Sequence, residues 1–65
     1  MSQINENEIS EELEYLEILR RSGVTNMYGA APYLQSQFGH DIDRCRAILC
    51  YWMDNYDRLS EERGW

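Results

Sequence analysis

From Ile9 onward the apolar residues fall on one helical face. Ile9, Leu13, Leu16 and Leu19 are spaced four, three and three apart, and Glu11, Glu12, Glu14 and Glu17 fill positions between them. The pattern predicts an amphipathic first helix. Ser10 or Asn7 can cap its start, early glutamates and late Arg20 and Arg21 suit the helix dipole, and Ser22-Gly23 stops it. Residues 1–7, MSQINEN, are polar and aperiodic, and read as a flexible terminus.

A second apolar segment runs from Val24 to Gly39 and contains Pro32, which cannot sit in a helix interior without losing a hydrogen bond. Either the helix kinks there, or an irregular turn over residues 25–30 leads into a short helix from near Ala31 to Gly39, which is the preferred reading, with Thr25 or Asn26 as the cap if the helix starts earlier. The third segment has the strongest period: Ile42, Cys45, Leu49, Trp52, Tyr56 and Leu59 alternate spacings of three and four, and Ile48 and Met53 widen the stripe. Asp41 is the expected cap, Asp43 lies in the first turn and Arg58 near the far end. The expected fold is all-α: a compact three-helix bundle over residues 8–60 with a long C-terminal helix, its last turns from Tyr56 projecting, and a tail at 61–65. Its core is expected from Leu13, Leu16, Leu19, Leu34, Phe38, Ile42, Cys45, Leu49 and Trp52.

Length limits what such a fold can do. Sixty-five residues make one domain, and at this size folding buries only roughly 60% of the unfolded chain's surface. The 43% hydrophobic content is enough for collapse. Twelve acidic residues against six basic ones, all arginine, leave a charge of -6, which disfavours direct nucleic acid binding; Arg44 and Arg46 beside the start of the third helix are too few for a helix-turn-helix reader. Cys45 and Cys50 are five apart, roughly 140° around a helix, and read as free thiols in a reducing cytoplasm. No stretch reads as a signal peptide or a membrane span, so a cytoplasmic location is expected.

Candidate chemistry is sparse. His40, Asp41, Asp43 and Cys45 are potential zinc ligands within six positions, but the aspartates read as cap residues and Cys45 falls on the core face. No nucleophile has a base and an orienting group beside it, the carboxylates from Glu6 to Glu17 spread around a solvated helix, and Met27-Tyr28-Gly29-Ala30-Ala31 lacks a phosphate-loop pattern; its small residues suit close helix approach. No enzyme activity, metal or cofactor is therefore expected. The rings are more telling, because Tyr, Trp, Met and Arg are the types enriched at interfaces and more are present than so small a core encloses. Met27, Tyr28, Tyr51, Met53 and Tyr56 are the expected contacts, with Glu12 and Glu14 supplying charge.

Two resemblances add to this. Leu19, Gly23, Ala30, Leu34, Asp41, Cys45 and Leu49 are similar in spacing to ubiquitin-associated (UBA-like) three-helix domains, over about residues 9–53. Those domains carry Met-Gly-Phe where Ser22-Gly23-Val24 stands here, so the resemblance implies compact three-helix packing and not ubiquitin binding. The run from Ser22 to Leu34, with Arg46-Ala47-Ile48-Leu49 and Tyr51-Trp52-Met53, resembles a group of small uncharacterised bacteriophage proteins. It implies an accessory factor acting inside a bacterial host. The expected function is a non-enzymatic interaction module that binds or inhibits a host or viral protein with a basic surface, DNA mimicry being a sub-case. The alternative is a self-assembling structural protein, a homodimer or minor virion component.

Overall fold

The computed structural model describes residues 4–23 and 26–65. Helix α1, Ser10–Ser22, carries the first apolar stripe. Ile9 occupies its N-cap position, and neither Ser10 nor Asn7 caps it by a side-chain bond. The start is instead wound by turns: the Glu8 N–H donates to the Asn5 carbonyl and the Ile9 N–H to that of Glu6. Of the segment expected to be a flexible terminus, residues 1–3 lie outside the described residues, whereas Ile4 packs against the core and Glu6 is anchored through its side chain. Gly23 ends α1 at φ 69°, and its N–H donates to the Leu19 carbonyl.

Pro32 falls in the first turn of α2, Ala31–Phe38, where a missing N–H costs nothing. A 3₁₀ turn, Met27–Gly29, leads into it, and the Asn26 side chain caps that turn by accepting the Gly29 N–H. Thr25, the other expected cap, lies outside the described residues. Gly39 ends α2 at φ 74°. Among the described residues no atom beyond its chain neighbours lies within 4 Å of where a Cβ would be, so Gly39→Ala meets backbone strain alone. A loss of about 1–2 kcal/mol is expected, read as a lowered thermal midpoint with unchanged helix content.

The long third helix is corrected by the structure, which has four α-helices among the described residues. Helix α3, Ile42–Asp54, starts where Asp41 accepts the Arg44 N–H at 2.8 Å, and ends at Asn55. The Asn55 backbone leaves helical geometry at φ -114° and ψ 12°, its side-chain amide donates to the Tyr51 carbonyl, and its side-chain oxygen accepts from Arg58. An asparagine that satisfies backbone groups with its own side chain offers the chain an alternative to continuing the helix. Helix α4, Tyr56–Arg63, follows, and it carries Leu59 fully into the core instead of projecting. Residues 61–63, expected in the tail, complete α4, and Arg63 reaches Glu14 of α1.

The core joins Ile9, Leu13, Leu16 and Leu19 to Ala30, Ala31 and Leu34, to Cys45, Ile48, Leu49 and Trp52, and to Leu59. Phe38 and Ile42 are half-buried at its margin. Among the described residues the enclosed Trp52 indole N–H has no hydrogen-bond partner.

Candidate functional site

Between the 3₁₀ turn with the start of α2 and the flank of α3 lies an open groove of about 450 Å³. Two local rules build it. The Asn26 cap and Pro32 fix the tight entry to α2, which leaves the Tyr28 ring 85% exposed on one lip beside Gly29 and Ala31. The other wall is one face of α3, where Ile42, Arg46, Leu49, Cys50 and Met53 recur at helical spacing. Leu49 and Ala31 are buried, whereas Arg46 and Cys50 are exposed. A shallower recess of about 220 Å³, lined by Pro32, Tyr33 and Ser36, shares Pro32 with it.

The remaining expected contacts go elsewhere. Met27 is half-buried against the core. The Tyr51 hydroxyl donates to Glu6 at 2.7 Å, and Arg58 donates to the same carboxylate at 2.7 Å. Those two bonds hold the Glu6 carboxyl below the usual range, and the same carboxylate pushes the Tyr51 phenol up. Tyr56 packs between Trp52 and Trp65, under the guanidinium of Arg20, and its hydroxyl donates to Glu17. Both tyrosines therefore tie the ends of the chain to the bundle.

The expected role of Glu12 is corrected. It is only 6% exposed, and its carboxylate meets Nε2 of His40 at 2.6 Å, joining α1 to the loop before α3. Burial of a carboxylate is tolerated when it is paired, and here the one histidine of the chain pairs it. Glu14 stays exposed but is engaged by Arg63 at 2.8 Å and by the Trp65 indole N–H. Glu17, only 2% exposed, accepts from Arg20 at 2.8 Å and Arg21 at 2.6 Å, bonds that hold its carboxyl below the usual range. The exposed carboxylates of Glu8, Glu11, Asp54, Asp57 and Glu61 enter no ion pair among the described residues.

Of the seven expected contact residues, Tyr28 and Met53 line the groove together, and Arg46, Cys50 and Pro32 join them. The signal for Arg46 and Cys50 was the spacing of 46, 50 and 53, a second α3 face obscured by the stronger core stripe. Among the described residues no three His, Cys, Asp or Glu side chains cluster as metal ligands, and no helix is long and apolar enough to cross a membrane. Burial raises the Cys45 thiol above its ordinary range. Compared with protein-family models, with curated proteins and with solved structures, the chain matches none.

Proposed function

We propose that this chain is a non-catalytic protein-interaction module that docks through the groove between Tyr28 and α3. The observation that carries the reading is the Tyr28 ring, 85% exposed beside an apolar wall of Ile42, Leu49 and Met53. An aromatic at the edge of a concave apolar surface is the arrangement that anchors protein contacts. Charge supports a basic partner surface, with Glu8, Glu11, Asp57 and Glu61 as the steering residues in place of the internally paired Glu12 and Glu14. The resemblance to small bacteriophage proteins supports an accessory factor acting on a host or viral protein, with mimicry of DNA as one form of it.

Capture of partners from a bacterial lysate, run side by side with the intact chain and the Tyr28→Ala and Met53→Gln variants, tests the reading. A partner held by the intact chain should fall at least roughly tenfold on both variants, in the range of a truncated anchor residue. Equal recovery on variants whose circular dichroism is unchanged would count against the groove.

A further inference from the structure

We propose that the groove's occupant is a second copy of this chain, its α3 laid antiparallel to the first; this rests on the docking groove of the reading above, with the second copy's Arg46 in place of a wholly basic partner surface. The order of charges along α3 carries the argument. Arg46 is the charged residue lining the groove, and its closest carboxylate, Asp43, stands 3.9 Å away with both side chains largely exposed. Arg20, Arg21, Arg58 and Arg63, by contrast, each hold a carboxylate within 3.0 Å. Asp54, at the other end of the same helix, is exposed and in no ion pair among the described residues. Between them stands the exposed Cys50, four residues after Arg46 and four before Asp54.

Residues four apart on a helix are neighbours one turn along. A two-fold axis beside Cys50 therefore brings each Arg46 to the other copy's Asp54, giving two equivalent ion pairs across an isologous contact. A parallel arrangement would oppose Arg46 to Arg46, Asp43 to Asp43 and Asp54 to Asp54, whereas the antiparallel one opposes like charges only where Asp43 faces Asp57, so the charge order favours the antiparallel one. The half-buried Met53 lies between the charged ends, and the exposed Tyr28 lip adds ring surface to the same face. A chain whose own core is marginal for its length gains apolar burial from such a partner.

Sedimentation of the reduced, full chain over a concentration series tests this at physiological salt, where the -6 carried by each copy is screened beyond about 8 Å. A monomer–dimer equilibrium is expected. Arg46→Asp or Asp54→Arg should weaken it by roughly tenfold, because two symmetry-related pairs become like-charge contacts at once. The double exchange Arg46→Asp with Asp54→Arg should restore it. Both residues are exposed, so circular dichroism should show every variant folded. As a second readout, a short bis-maleimide should join Cys50 of two copies in the intact chain and not in Cys50→Ser.

A single monomeric mass throughout, or a dimer indifferent to Arg46→Asp, overturns the proposal. If the chain is monomeric while Tyr28→Ala still abolishes capture of another protein, the second-copy proposal falls and the interaction module stands. If Tyr28→Ala moves neither self-association nor capture, both fall.

Discussion

Leu16→Ala is expected to leave the chain largely unfolded at physiological temperature. Leu16 is fully enclosed at the centre of the α1 stripe, among residues of α1, α2 and α3. Removing its side chain costs about 2–5 kcal/mol through lost transfer energy and the cavity left behind. A domain of this length has only about 3–10 kcal/mol in total. Denaturant titration followed by circular dichroism should show a midpoint lost or shifted far to the left. Ile18→Ala provides the comparison on the same helix: Ile18 is 63% exposed, and its truncation should stay within about 0.5 kcal/mol. Equal losses at the two positions would mean that α1 does not pack through the Leu16 face.

Replacing Glu17 should have the next largest effect, and it should depend on pH. Its carboxylate is almost fully enclosed and collects Arg20, Arg21 and the Tyr56 hydroxyl, so one residue fixes the C-terminal turn of α1 against the base of α4. Glu17→Ala leaves the tyrosine hydroxyl and two guanidinium groups without this acceptor; the arginines are half-exposed and regain water, which limits the expected loss to about 1–2 kcal/mol. The Arg20 guanidinium, first among its partners, holds the Glu17 carboxyl below the usual range, and Arg58 does the same for Glu6. A depressed folded-state value means that the charged form is favoured by folding. The stability it contributes is fully present above the unfolded glutamate value of about 4.3 and is lost as pH falls below that toward the folded values. Urea midpoints should therefore drop between pH 6 and pH 3, and Glu17→Gln should flatten part of that drop. A Gln variant with the pH dependence of the intact chain would remove Glu17 from this account.

The all-helical architecture was legible because each stripe adjoins a start or stop signal, although the expected side-chain caps of α1 do not form. Ile9 to Leu19 before Gly23, Pro32 inside a first turn before Gly39, and Asp41 ahead of Ile42 each join a period to a start or stop signal whose physics is local. The break at Asn55 was not, since the heptad-like spacing runs on through Tyr56 and Leu59. What ends α3 is an asparagine whose amide turns onto the Tyr51 carbonyl, and an asparagine in a polar stretch of helix looks the same in sequence whether or not it turns back. The lining of the candidate groove was half legible. Tyr28 and Met53 were marked by residue type, but Tyr51 and Tyr56 were too, and only the fold shows that their hydroxyls serve Glu6 and Glu17. The pairing of Glu12 with His40 joins residues 28 apart, a contact that no local period encodes.

The Asn55 break also sets a ruler. Because α3 stops at Asp54, the groove wall from Ile42 to Met53 comprises eleven helical steps, about 17 Å at 1.5 Å per residue. On the proposed docking reading, the wall fits an occupant of about three turns of helix, or some five residues of extended chain, from end to end. On that reading a longer segment overhangs, and lengthening a peptide docked there past that span should add little to its affinity.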